Sequence, residues 1–275
     1  MLRAPLMIAA LASGPFASEA ETRCTTDHHP IVEEVYPTGD ILPDNLLRFY
    51  VYFNAPMQRG QALENVTLRS VSTGEPVHGV FFQSRYELWS DDGRRLTLLL
   101  DPGRVKTGLD ANDGLDRALT EGEHYQLELG AALRGSNGCQ LTGGLVKDFT
   151  AGPADVEAPS LAAWQLNLPR ENTRDVVSLS LNGPHDHVSL AHRLRVKTDA
   201  GQPVAGSIEL AASETEWRFT PRSPWTSERH TIQIDPALED VAGNRLTGLF
   251  DDPTGESRIH QSQSTTLELE FWPVG

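Results

Sequence analysis

The residues best suited to chemistry lie in the second half of the chain, where Pro184 is followed by His185-Asp186-His187 and, five positions on, by His192. Two imidazoles at i and i+2 around a carboxylate share one side of an extended backbone. With His192 or the tandem pair His28-His29 as a further ligand, His185, Asp186 and His187 would offer the donors that Zn²⁺ or Cu²⁺ takes. The default reading of the same residues is a solvated loop after a strand, with no cofactor at all. Asp110, Asn112, Asp113 and Asp116 have the oxygen density of a Ca²⁺ loop, but Gly114 stands one place too early for an EF-hand. Asp91-Asp92 and Asp251-Asp252 are neighbours in turns, so their carboxylates point apart and make a poor acid/base pair. Serines occur without a Gly-x-Ser-x-Gly elbow, and no phosphate-cradling or dinucleotide-binding glycine pattern is present. No residue set is expected to be catalytic, and the chain reads as a non-enzyme. Of the five tryptophans, an exposed row would stack sugars, whereas Trp217 in an alternating strand reads as core.

Other features bear on where the protein works. Arg3, an apolar run from Ala4 to Phe16 and the small residues Ser18 and Ala20 read as a secretory signal peptide, residues 1–20, cut after Ala20. The run is too short and too interrupted by Pro5, Gly14 and Pro15 to span a membrane. No membrane segment is therefore expected after cleavage. The only two cysteines, Cys24 and Cys139, are expected to form a disulfide in an oxidising compartment, either periplasmic or extracellular. Thirty-eight acidic against twenty-three basic residues give a net charge of −15, which opposes nucleic acid.

The elements that must position these residues are strands. Short alternating apolar runs recur with turn residues between them, and helical periodicity is hard to find after the leader. Strands are expected over 46–54, 66–71, 77–82, 94–101, 124–130 and 145–151, and again over 163–168, 175–182, 192–198, 207–212, 217–221, 229–235 and 265–272. A primed turn is expected at Asp92-Gly93, and a long crossing loop with at most one helical turn over 105–120. The stretch from Ala151 to Pro159 is rich in Pro and Gly, and reads as a linker. It separates a first domain, residues 21–153, from a second, residues 154–275.

The two halves also match each other in order. Phe53-Asn54-Ala55-Pro56-Met57 matches Leu181-Asn182-Gly183-Pro184-His185, and Leu68–Val80 with its Gly74–Gly79 hairpin matches Leu194–Ile208 with Gly201–Gly206. Glu121–Leu129 matches Thr226–Ile234, and Gly135–Leu141 matches Asp240–Leu246. Four matches in one order argue for duplication. Units of this size with about seven strands point to an all-β fold of two tandem immunoglobulin-like β-sandwich domains.

Phe53-Asn-Ala-Pro-Met57, Tyr125-Gln-Leu-Glu-Leu129, Trp217-Arg-Phe-Thr-Pro221 and Asp240-Val-Ala-Gly-Asn-Arg-Leu246 resemble motifs of the bacterial Ig-like domains of the type first named in S-layer proteins. His185 departs from that pattern, which has Met there. The resemblance covers nearly the whole chain after the leader. It implies no shared catalytic residues and an adhesive, spacer or accessory role in the cell envelope, with a protein or other envelope component as partner. A metal-binding periplasmic protein and an accessory carbohydrate-binding module remain the alternatives.

Overall fold

The computed structural model describes residues 24, 28–83, 86–105, 117–251 and 266–275. The signal-peptide reading over 1–20 and the acidic loop 110–116 lie outside these residues.

Alternation decides which face each strand buries. In β3 (Arg48–Phe53), Phe49, Val51 and Phe53 are at most 1% exposed, while Arg48 and Tyr52 point outward and are half-buried. β1 (Val32–Tyr36), β3, β6 (Arg95–Leu99) and β5 (Leu88–Trp89) form one sheet in the order β1-β3-β6-β5. β2 (Ile41–Pro43), β8 (Leu145–Gly152), β7 (His124–Leu129) and β4 (Val66–Ser70) form the facing sheet in the order β2-β8-β7-β4, with β2 parallel to β8. Rings from the two sheets meet in the core, Phe49 against Phe149 at 5.5 Å between centroids. Four strands ordered A-B-E-D facing a sheet built on C, F and G is the immunoglobulin arrangement.

The second half repeats it. β12 (Gly206–Ala211), β13 (Glu216–Pro221), β10 (Val177–Ser180) and β9 (Gln165–Asn167) form one sheet in that order, and β11 (Leu194–Thr198), β14 (His230–Ile234) and β15 (Leu267–Phe271) the other. Val177, Leu179, Trp217, Ile232 and Ile234 are fully buried between them. A parallel bridge from Arg170 to Val274 occupies the place that the β2–β8 pairing has in the first sandwich.

The duplication is visible bridge by bridge. Met57–Gly135 answers to His185–Asp240, Arg134–Gln140 to Glu239–Arg245, and Arg69–Pro76 to Lys197–Pro203. Strand register corrects one detail: Leu68 pairs with Leu127 and Val196 with Ile232, so Leu68 corresponds to Val196 rather than to Leu194.

Other expectations are also corrected. Residues 77–82 hold a single isolated bridge, Phe81 to Leu100, rather than a strand, because Pro76 lacks a donor and Gly79 turns the chain at φ +61°. At the β5–β6 hairpin only Gly93 has positive φ, and its N–H closes a turn onto Ser90 O at 2.9 Å, so the turn is not a primed one. The helical turn α1 is Pro102–Val105, at the start of the crossing loop. Residues 187–193 form a helix, α2 (His187–Arg193), ahead of β11. No helix among the described residues is long and apolar enough to cross a membrane.

Candidate functional site

The predicted metal cluster is dispersed by α2. Asp186 is its N-cap, its Oδ1 accepting the N–H of Ser189 at 2.8 Å, and from His187 onward the backbone winds into a helix. The extended geometry that would have set His185 and His187 side by side is therefore absent. His185 is 1% exposed, with its Nδ1–H donating to Gly183 O at 2.8 Å and its ring edge-on to Trp164. His187 stacks on Tyr36 at 3.4 Å between centroids and meets the edge of Tyr52. His192, in the last turn of α2, is exposed and lines a cleft. His29, the other candidate ligand beside His28, pairs with Gln140 O. Among the described residues, no group of three His, Cys, Asp or Glu side chains stands ready to hold a metal.

α2 is instead the part of the second sandwich that docks on the first. Tyr50, which alternation sends outward from the first core, is 5% exposed because the second sandwich covers it, and its hydroxyl donates to Asp186 Oδ2 at 2.8 Å. Arg48, two residues back on the same face, lies 3.5 Å from Asp186 and donates to Glu239 at 2.5 Å. Arg245 holds the other oxygen of Glu239 at 2.6 Å. A cleft of about 320 Å³ lined by Arg48, Tyr50, Asp186, His192, Arg193 and Glu239 runs beside this network.

A second contact comes from the β12–β13 turn. Ala212, Ser213 and Glu214 all have φ between +50° and +61°, a run of left-handed residues with no glycine. Such positions each cost of order 1–3 kcal/mol and persist where surrounding structure holds them. Here the turn delivers the Glu214 carboxylate, 3% exposed, to Thr38 of the first sandwich, whose N–H and Oγ1–H donate to it at 3.0 and 2.8 Å.

The connecting segment is held too. Asn45 exchanges two hydrogen bonds with the Asp155 backbone, at 2.8 and 2.9 Å. Leu47 N–H donates to Val241 O at 2.9 Å, and Val241 packs into the first hydrophobic core. Gly243 lets Leu47 close in, since a Cβ there would stand 2.6 Å from Leu47 Cδ2.

Burial governs the electrostatics of this junction. Desolvation pushes His185 and His187 down to about 4, so both rings are neutral at pH 7. It raises Asp186 against the opposing pull of Arg48, and raises Glu214 against its bonds from Thr38. Asp240, buried beside Asp155, is pushed up to about 8.

Cys24 and Cys139 are joined, with Cα atoms 5.4 Å apart, tying the start of the described chain to the Gly135–Leu141 turn. Of the tryptophans only Trp272 is exposed; Trp217 and Trp225 are core, Trp164 is buried and Trp89 donates to Glu87. That distribution leaves no stacked row for a sugar. Asp91 and Asp92 sit in the β5–β6 turn, with Asp92 Oδ1 accepting from Ser90 Oγ and the Arg94 N–H.

Sequence reasoning missed Arg48, Tyr50, Glu214 and Glu239. A signal was present for the first two: Arg48, Tyr50 and Tyr52 alternate with the core residues of β3, and an outward row with two aromatics is unusual for a face meant for water.

No family model matches the chain, and no curated protein matches its sequence. Among solved structures it is similar to a fragment of native Escherichia coli alpha-2-macroglobulin spanning domains MG0-NIE-MG1, at 10% identity over 78% of this chain and 68% of that one, with a TM-score of 0.29. It is also similar to the four N-terminal Ig domains of Dscam1 isoform 6.9, at 11% identity over 78% and 48% with a TM-score of 0.26. Titin domains z1z2 in complex with telethonin match at 10% identity over 74% and 88% with a TM-score of 0.21. The Ig-like assignment rests on the sheet orders above, not on these overlays.

Proposed function

We infer that this chain is an exported, non-catalytic pair of Ig-like domains, residues 21–153 and 154–275 behind a leader over 1–20, that serves as a rigid binding or spacer arm in the cell envelope. The observation that carries the reading is the junction. Arg48, Tyr50, Asp186 and Glu239 form a linked network of hydrogen bonds and ion pairs there, and the left-handed turn at Glu214 is held by Thr38. Such a junction holds two sets of loop rims at one angle, which suits a spacer or a composite binding face and contributes nothing to a reaction. A disulfide between Cys24 and Cys139 accords with an oxidising compartment. Net charge of −15 keeps such a protein soluble and away from polyanions.

Solution scattering tests the arm. The full chain is expected to fit one orientation of the two sandwiches, and the double variant Arg48→Ala/Glu214→Ala to scatter as a more extended, mixed population. A wild-type curve that requires many orientations would overturn the reading. Fractionation of an expressing bacterial host tests export: the oxidised chain is expected outside the cytoplasm, and a reduced, unprocessed cytoplasmic product would contradict it.

A further inference from the structure

Because the sandwiches are copies, the first shows what the fold requires at each position of the second. At the bridge that follows the B strand, the first sandwich places Met57, 4% exposed, opposite Gly135. The second places His185, 1% exposed, opposite Asp240, 3% exposed. In the first sandwich an apolar side chain and a glycine hold these places; in the second, an imidazole replaces the apolar side chain, and the carboxylate of Asp240 also serves its own turn.

Both side chains are left partly unpartnered. Gly183 O can only accept, so His185 carries its proton on Nδ1, and the Nε2 lone pair is buried with no partner. Asp240 Oδ1 accepts the N–H groups of Ala242 and Asn244 at 2.9 and 2.8 Å, while Oδ2 is buried with no partner. Both side chains line one small cavity of about 40 Å³, with Asp155 and Glu157 of the connecting segment at its wall. Buried polar atoms in a native fold are almost always paired, so two orphans on one polar cavity call for an occupant.

We propose that this cavity binds Zn²⁺. His185 Nε2 and Asp240 Oδ2, the two unpartnered atoms of residues lining the cavity, supply two ligands, and a carboxylate of the connecting segment, Asp155 or Glu157, turns in as the third, with water as the fourth. One nitrogen and two carboxylate donors are a zinc set, whereas Ca²⁺ and Mg²⁺ favour oxygen alone. As the side chains stand, no three ligands converge. The third must move, and Glu157 is exposed on the segment that joins the sandwiches. The bound ion would thereby pin that segment to the second sandwich.

The site differs from the linear His185-Asp186-His187 cluster, and the variants separate the two. Calorimetric titration of chelator-stripped full chain with zinc chloride is expected to give one ion per chain and a raised melting temperature, with no heat from calcium chloride. His185→Met, which installs the residue of the first copy, and Asp240→Asn, which keeps the Oδ1 turn contacts, are each expected to weaken binding about tenfold or more. His187→Ala and His192→Ala should bind as wild type does. Metal-free His185→Met is expected to melt no lower than wild type; if it fails to fold, Asp240→Asn alone carries the test. Absence of saturable zinc binding, as for a cavity that holds only an ordered water, would overturn the proposal, as would binding that survives both substitutions. A change in domain orientation without loss of zinc would bear on the arm and not on this site.

Discussion

Asp186 shows how one side chain can be misread from its neighbours in sequence and explained by its neighbours in space. Between two histidines it looks like a ligand; in the fold it caps α2, accepts from Tyr50 and faces Arg48. A buried acid with one cation and two donors is a structural group, since its charge is compensated only while all three remain. Asp186→Ala should therefore remove a cap and strand Arg48, at a cost of about 3–5 kcal/mol in urea unfolding. His192→Ala, in the open cleft, should stay within about 0.5 kcal/mol of wild type. Equal effects of the two substitutions would refute the assignment. Tyr50, its partner across the junction, could not be read from the chain, because it is 136 residues away.

At the scale of elements, strands were legible and turns were not. β3, β6, β7 and β14 fall within the expected runs because alternation, with one face buried, reports directly on a sheet. β1 and β2 escaped notice, since β2 is three residues long and β1 buries only Val35. α2 escaped because seven residues with two buried side chains carry too little periodicity to stand out. The left-handed turn at 212–214 has no glycine to announce it, and its conformation comes from contacts made by Glu214. Ser213→Gly should relieve φ +54° and raise stability by about 0.5–1 kcal/mol. Gly243→Ala should do the reverse and by more, because φ is +85° and the new Cβ would meet Leu47 of the other sandwich. Thermal melts of the two variants check both signs, and a stabilised Gly243→Ala would contradict the packing described.

For the whole molecule, the junction couples two cores that could otherwise unfold apart. Val241 belongs to the core of the first sandwich although it lies in the chain of the second, so wild type is expected to unfold in one cooperative transition. Arg48→Ala/Glu214→Ala should split that into two, and reduction of Cys24–Cys139 should then lower only the transition of the first sandwich, by about 2–4 kcal/mol. Two transitions in the wild type, followed by fluorescence of Trp217 and Trp225 in the second core, would show that the coupling is weaker than drawn. The sequence by itself determined the all-β class, the doubling of the unit and the pairing of the cysteines. These follow from alternation, repeated short motifs and an even count, all of which are local or self-comparing properties. Only the tertiary structure decided that the histidine cluster is broken by a helix cap, that Tyr50 and Arg48 face a domain rather than water, and that His185 meets Asp240. Each of those depends on residues far apart in the chain arriving at one place, and burial then sets their partners and their charge.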